Sequence, residues 1–543
     1  MDRRTFLAIS LCFLIFLVWQ KIFIEPRMPV NGTALVTAEP KKAEPAPLLQ
    51  AASTTAVPIQ ENRHKGEVKK LELHNGTLIF NEGNSVVSNW VLKNYHAGLS
   101  SNSNINETTL MDLQTMTIGA SKGGDLGEGR LAFDSPEFAY LEKVEGRLSS
   151  GPGGSVRWDY EDVNVKINRE MIPVEGQTYF QARYQAEIKP GYTGTQPHYA
   201  FISLVHQTPE KDPENPDRQL VYWTNKEISR VVLEKDVKLQ EIPTAVKWVG
   251  FTSRYFLMAL ISDEKEEALL PRGLVQPLES RQGRMSLVYP IKDRHFSAPL
   301  RVYFGPKEIE MLRGVEPTLD HTVDLGWFTI FAYPLLRIMQ WFYSIFHNYG
   351  VSIILLTLLV RIVTYPLTYK SMKSMKEMAK LQPQLQKIKE KYKDDKEALN
   401  REMLTMMKSH GYNPMAGCLP ILIQMPIFFA LYRVLYSSIE LYQAPFVFWI
   451  HDLSAKDPYY VTPIILTITM FVQQKLTPNT AADPAQAKMM QFMPVMFGVF
   501  MLALPSGLTL YMFVNALGGI FQQTVLNKKF SSPHAQATAI RVR

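Results

Sequence analysis

Hydrophobic positions are segregated along the chain: they crowd residues 1–25 and the stretch after 320, and thin out between. Residues 5–24 read TFLAISLCFLIFLVWQKIFI and follow Arg3 and Arg4. A cleaved signal peptide needs a small-residue site just after its apolar core. Gln20, Lys21, Ile22, Phe23, Ile24, Glu25 and Pro26 do not supply one. The pattern predicts an uncleaved transmembrane anchor over 1–25, with the arginines and the N-terminus inside. Residues 26–62 hold Pro26, Pro29, Pro40, Pro45, Pro47 and Pro58 among Ala, Thr, Lys and Glu, which predicts an extended, disordered linker.

From 63 to 320 the period is that of strands. Val163, Val165 and Ile167 alternate with polar residues, as do Phe180, Ala182, Tyr184, Ala186 and Ile188. Asn75-Gly76, Gly151-Pro152-Gly153-Gly154 and Pro190-Gly191 mark turns. The expectation is one large β-sandwich. Residues 321–348 form a linker and a helix. Within 327–347, Thr329, Tyr333, Arg337, Gln340, Ser344 and His347 share one helical face opposite bulky apolar residues, so this helix should lie in the membrane interface.

Five apolar segments follow, at 349–369, 416–438, 461–476, 491–504 and 508–526. The loop 370–415 carries 11 Lys+Arg against 6 Asp+Glu, and basic loops stay in the cytoplasm. Counting from an inside N-terminus puts 26–348 outside, 370–415 inside, 439–460 outside, 477–490 inside, Pro505-Ser506-Gly507 in a tight outer turn, and the basic tail 527–543 inside. The count closes only if 327–347 does not cross. The segments 461–476 and 491–504 reach about 24 Å and about 21 Å, short of a hydrocarbon core of about 30 Å, which should thin the bilayer locally.

Arg361 interrupts VSIILLTLLV and its continuation IVTYPLTY. A charge near mid-bilayer costs about 2.5–3.5 kcal/mol even on the lenient insertion scale, so it needs a partner or water. The later spans hold no acid; Glu440 lies at the outer end of its span. Thr357, Arg361, Thr364 and Thr368 form one polar stripe, and Gln424, Thr469, Gln473, Asn515 and Gln522 offer polar groups on other spans. Such stripes predict a shared wet cavity. The competing reading is an arginine reaching one interface while the threonines bond their own backbones.

Met425, Phe428, Phe429, Met496 and Phe500 belong to Met- and Phe-rich faces. Methionine adapts to irregular partners, which suits a surface that accepts many helices; ordinary packing between spans is the plainer alternative. The loop 370–415 predicts a helical hairpin. Leu381, Leu385, Ile388 and Tyr392 form one stripe, Leu399, Met403 and Met406 another, and Asp394-Asp395 the turn. Its lysines suit phosphate surfaces, either anionic lipid or ribosomal RNA; a solvated helical face beside the membrane is the equal alternative, since topology alone makes such loops basic.

Composition closes several routes. Lys+Arg 58 against Asp+Glu 51 gives +7, and the excess is placed as topology requires. The two cysteines, Cys12 and Cys418, exclude a disulfide scaffold and a Cys-rich metal site. There is no Gly-Lys dipeptide for a phosphate loop, no His-Glu-x-x-His and no Gly-x-Ser-x-Gly. His451-Asp452 reads as a turn element. Asp, Glu and His are missing from the last five spans, which argues against ion-coupled transport. The reading is therefore not an enzyme, with no cofactor and no metal.

GVSIILLTLLVRIVTYPLTYK (350–370), NPMAGCLPILIQMPIFFALY (413–432), APFVFWIHDLSAKDPYY (444–460), MMQFMPVMF (489–497) and LPSGLTLYMFVNAL (504–517) resemble the YidC/Oxa1/Alb3 family of membrane protein insertases, in its Gram-negative bacterial form. The resemblance implies a multi-pass α-helical protein of the inner membrane with six transmembrane helices. Five of them form an insertase core, 349–526, around a hydrophilic groove, and 63–320 is a periplasmic all-β supersandwich. Arg361 matches the groove arginine; Thr357, Gln424, Trp449 and Tyr511 fall at matching positions near the groove or its outer cap. Thr364 and Asn515 join them from the polar stripes. The resemblance further implies chaperone-like insertion of nascent membrane proteins, alone or with the Sec translocon and SecDF, and ribosome contact through the basic loop and tail, without recognition of a nucleic-acid sequence. A solute transporter or channel, and an envelope assembly scaffold, are the alternatives from other classes.

Overall fold

A computed structural model describes residues 68–92 and 130–531 with internal gaps, the longer ones at 208–218 and 407–418. The expected anchor 1–25, the linker 26–62 and Met403 lie outside the described residues. The chain divides into two compact units, one ending at Val323 and the other running from Asp324.

The first unit is built of antiparallel sheets. Its largest sheet has nine strands, in the spatial order Ile228–Val232, Gln219–Thr224, Val246–Thr252, Phe256–Ser262, His295–Pro306, Tyr179–Ile188, Val165–Pro173, Val156–Glu161 and Arg147–Ser150. A five-stranded sheet runs Gln240–Ile242, Arg272–Pro277, Gln282–Pro290, Tyr199–Gln207, Arg130–Phe133, and a three-stranded one joins Val68–Leu73, Gly76–Asn81 and Val87–Leu92. The two larger sheets touch through Val246–Thr252. Period two does the work expected of it: Phe180, Ala182, Tyr184, Ala186 and Ile188 are buried while their neighbours face out. Val163 departs from the pattern. It lies in the turn before its strand, where the Asp162 carboxylate takes the backbone N–H of Asn164 and Val165, and it is exposed.

Phe256–Ser262 is buried at every position because the sheet is covered on both faces here. On one of them, helix α1 (Ile309–Val315) and the turn Pro317–Thr322 bring Leu312, Val315 and Leu319 onto Val221, Trp248, Leu257, Ala259, Ile261 and Tyr303. Trp248 Nε1 donates to Thr318 Oγ1 at 2.9 Å, which satisfies the one polar atom of a fully buried ring.

The second unit is helical: α2 (Thr329–Phe346), α3 (Tyr349–Lys391), α4 (Leu419–Ser437), α5 (Val461–Leu476), α6 (Pro484–Met501) and α7 (Ser506–Ser531). Helix α2 has three faces. Ala332, Leu336 and Met339 are buried, the polar row is half-buried or exposed, and Ile330, Phe331, Trp341, Ile345 and Phe346 are exposed apolar residues. Gln340 Nε2 donates to Glu440 Oε1 at 2.7 Å and ties this helix to the segment just after α4. Asn348 starts α3 by accepting from the Val351 N–H at 3.1 Å.

Three boundaries differ from the sequence expectation, one of them the start of α6, which begins at Pro484 inside the expected loop 477–490. Helix α3 does not stop at 369; it runs on through 391, so the first limb of the hairpin is the same helix as the apolar segment. The helix continues through Pro383, which supplies no N–H, and the Lys, Glu, Gln and Met on either side of it are good helix formers. Asp395 Oδ1 then takes the Ala398 N–H at 3.0 Å and opens the second limb, where Leu399 and Met406 are half-buried as Leu385 on the first limb is buried. Likewise α7 continues to Ser531, so the basic tail begins as helix. Among the described residues one helix, Tyr349–Glu377, is long and apolar enough to cross a membrane; Val461–Leu476 and Gln491–Met501 are shorter apolar helices. The expected count of six crossings is therefore not established by helix length.

Candidate functional site: a polar seam around Arg361

The seam lies where α3, α4, α5 and α7 converge. Arg361 projects from α3 and is partly buried. Its Nε donates to Asn515 Oδ1 at 2.9 Å, Nη1 to Gln522 Oε1 at 3.3 Å, and Nη2 to the Asn515 carbonyl. All three acceptors are neutral groups of α7. No carboxylate pairs with Arg361 among the described residues, and the side chain turns across to α7 rather than out toward an interface. A buried guanidinium with neutral acceptors keeps its full charge.

Two glycines make this approach possible. A Cβ on Gly518 would sit 2.6 Å from Arg361 Cδ, and one on Gly519 would sit 2.3 Å from Gln473 Nε2 and 3.3 Å from Arg361 Nη2. Any side chain at either position would push Arg361 or α5 away. On the far side, Gln424 Nε2 of α4 donates to the Tyr511 hydroxyl at 2.7 Å, and Tyr511 is 1% exposed.

The threonines behave differently. Thr357 donates to the Ile353 carbonyl at 2.6 Å, Thr364 to that of Val360 at 2.9 Å and Thr368 to that of Thr364 at 3.0 Å. Each hydroxyl is satisfied within its own helix. None of them bonds to the Arg361 guanidinium, although Thr364 Oγ1 also donates to the Arg361 backbone carbonyl at 3.3 Å. Trp449 lies in the loop between α4 and α5, where its Nε1 donates to Asp457 Oδ1 at 3.1 Å and its ring stacks on Phe448.

That loop is ordered by two aspartates. Asp452 takes the N–H groups of Gln443 and Ser454 at 3.1 and 2.7 Å, in the turn role expected of it. Asp457 takes the N–H of Tyr459 at 3.0 Å and both the N–H and hydroxyl of Thr462 at 2.7 Å, at the start of α5. Burial pulls its carboxyl upward, and the hydrogen bonds from Thr462, Tyr459 and Trp449 outweigh that pull and hold it below the ordinary carboxylate range. The loop also fastens to the α6–α7 turn: Ser506 N and Gly507 N donate to the carbonyls of Ala455 and Leu453 at 2.7 and 2.9 Å.

The Met and Phe residues divide. Met496 is 52% and Phe492 70% exposed on α6, and Met425 is exposed on α4. Phe500 instead packs with Phe497 onto Leu466, Met501 and Ala516. Phe428 and Phe429 are half-buried, their rings edge to face. Gly518, Gly519 and Asp457 were not singled out from sequence. The signals were a Gly-Gly pair one turn beyond Asn515, and an acid just ahead of an apolar segment.

The described residues thus join a unit of antiparallel sheets to an apolar helical bundle that holds a partly buried cation. Two family descriptions divide the chain in the same way, "60Kd inner membrane protein" over residues 341–533 and "YidC periplasmic domain" over 79–338. The membrane protein insertase YidC of Geotalea uraniireducens is 33% identical over 98% of this chain and 100% of its own length, and that of Nitratidesulfovibrio vulgaris 32% over 97% and 99%. A crystal structure of an active YidC insertase with its first transmembrane domain resolved aligns with 85% of this chain and 94% of its own, at 18% identity and a TM-score of 0.36. The chain belongs to the YidC family of inner-membrane proteins.

Proposed function

We propose that the protein inserts and helps fold integral membrane proteins in the bacterial inner membrane, using the seam around Arg361 as a hydrophilic groove and no fuel of its own. The observation that carries this reading is a guanidinium inside an apolar bundle, held only by neutral acceptors of one neighbouring helix. An incoming helix is apolar and gains free energy on reaching lipid. The barrier lies in carrying its polar flank across hydrocarbon. Arg361, with Thr357, Thr364, Gln424, Tyr511 and Asn515 lining the way, offers that flank charge and hydrogen bonds partway across.

The exposed residues Met425 and Met496, with Phe428, Phe429 and Phe500 behind them, hold the apolar segment while it passes into lipid. Short α5 and the short apolar part of α6, Gln491–Met501, thin the bilayer and shorten the path. Trp449 and the outer loop cap the groove. In this reading the anchor and α3 to α7 make six crossings, both termini are cytoplasmic, and α2 lies in the outer interface. Clients arrive from ribosomes docked on the basic hairpin and tail, directly or through the Sec translocon with SecDF. Photo-crosslinkers at Gln424, Met425 and Met496 test the reading. They should capture a stalled single-span nascent chain, while the same probe at the exposed β-domain position Val163 should not; equal labelling at all four positions would contradict it.

A further inference from the structure

The loop between α4 and α5 carries an apolar tip. Phe448 is 83% exposed, Val447 is exposed beside it, and no charged residue occurs from Leu441 to Ile450. The tip is held by its own hydrogen bonds. Phe446 donates its N–H to the Ile450 carbonyl at 2.9 Å and Ile450 its N–H to that of Val447 at 3.1 Å, while Trp449, tied to Asp457, stacks on the Phe448 ring. Phe448 has φ +53°, in the left-handed region that a bulky side chain rarely adopts. Backbone strain that holds an aromatic ring clear of the protein points to something that receives the ring.

The surroundings are apolar as well. The carbonyl of Phe446 accepts from Asn348 Nδ2 at 3.3 Å, and a Cβ on Gly350 would collide with the Phe446 ring, so the turn from α2 into α3 closes directly onto the loop. The adjoining end of α2 carries Trp341, Ile345 and Phe346 as exposed apolar residues. Tyr459 and Tyr460 are exposed just ahead of α5, and aromatic rings at the end of a span favour the membrane–water interface. We propose that Val447 and Phe448 anchor this loop in the outer leaflet, with the Phe448 ring at the boundary between headgroups and acyl chains. The occupant is lipid, because the patch continues the exposed apolar faces of an inner-membrane protein and offers a protein partner no charge to read. The proposal rests on the topology of the groove reading above, which puts this loop outside. Ser506 and Gly507 fasten the loop to the α6–α7 turn, so an anchored tip sets the depth of that end of the bundle beside the short α5.

The test uses the full chain, with Cys12 and Cys418 replaced by Ala, in liposomes of phosphatidylethanolamine and phosphatidylglycerol that contain no other protein. A nitroxide is attached singly through Val447→Cys, through Val163→Cys as the reference in water, and through Ile468→Cys, exposed on α5, as the reference in lipid. Power saturation compares the access of oxygen, which concentrates in lipid, with that of a nickel chelate, which stays in water. The oxygen-to-nickel ratio at 447 should exceed that at 163 severalfold. Adding Phe448→Leu should keep the ratio high, and adding Phe448→Asp should lower it to the value at 163, because a carboxylate is expelled from the apolar boundary. A ratio at 447 equal to that at 163 without any change at Phe448 would overturn the proposal, including the case in which the tip receives a protein instead of lipid. A ratio that Phe448→Asp leaves unchanged would overturn it too. If the label at 468 reads as water, the membrane placement of the bundle fails, a result distinct from water at 447 with lipid at 468.

Discussion

Arg361 and Asn515 are bonded twice: Nε donates to Oδ1 at 2.9 Å, and Nη2 to the carbonyl of the same asparagine. The pair joins α3 to α7 at the level of the charge. Asn515→Leu removes the side-chain acceptor from a partly buried cation. Loss of a hydrogen bond to a charged group predicts about 1.5–3 kcal/mol of destabilisation. The measurement is thermal unfolding of the detergent-solubilised protein against the unaltered chain; an unchanged midpoint would mean that water replaces Asn515 without cost.

Gly518→Ala places a methyl 2.6 Å from Arg361 Cδ. Neither helix backbone can yield much, so the guanidinium must leave its seat. We expect about 1–3 kcal/mol of strain and loss of the Arg361–Gln522 contact. Gly314→Ala, where an added Cβ meets nothing within 4 Å, is the control. Comparable unfolding midpoints for the two variants would sink this account of the glycine.

The polar residues of the seam were legible in sequence because polar side chains are rare in apolar segments and fall into rows at helical spacing. Which of them touch was not legible. The threonines share the Arg361 stripe yet bond their own carbonyls, whereas Asn515 and Gln522, far along the chain, hold the guanidinium. Spacing defines a face, but only helix packing decides which face meets it. The glycines that let α7 approach carry no polar signal at all. In the β-domain, alternation marked the strand Tyr179–Ile188 plainly, while the uniformly buried Phe256–Ser262 has no period to read because both its faces are covered. The apolar segment and the first limb of the hairpin are one helix, α3, which sequence could not show because hydropathy changes at 370 while the helix runs on through Pro383 to Lys391.

Asp457 gives the loop between α4 and α5 a pH dependence. Its folded pKa lies below the unfolded value of about 3.9, so its contribution is fully present above that value and is lost as pH falls through the lower, folded one. Protection of the Thr462 and Tyr459 N–H groups against hydrogen exchange, relative to the intrinsic rate at each pH, should fall only below about pH 4. Asp457→Asn, which keeps an acceptor but no charge, should weaken the start of α5 by about 0.5–2 kcal/mol and flatten this acid response. An acid response retained in full by the variant would assign it to another group.

In the β-domain, Leu312→Ala empties a fully buried position beneath Trp248 and should cost about 2–5 kcal/mol. Thr318→Val, which strands the indole N–H of Trp248, should cost about 1–3 kcal/mol. Near-ultraviolet circular dichroism of the full chain during chemical denaturation reports both. A loss from Thr318→Val larger than from Leu312→Ala would show that packing under Trp248 matters less than its hydrogen bond.

The most direct test of the central claim compares insertion of one Sec-independent passenger by the unaltered protein, Arg361→Ala and Arg361→Lys in proteoliposomes. The account predicts that alanine abolishes insertion of a passenger with an acidic tail, while lysine, which keeps the charge but not the fork that reaches Asn515 and Gln522, retains part of it. Full insertion by the alanine variant would contradict the account.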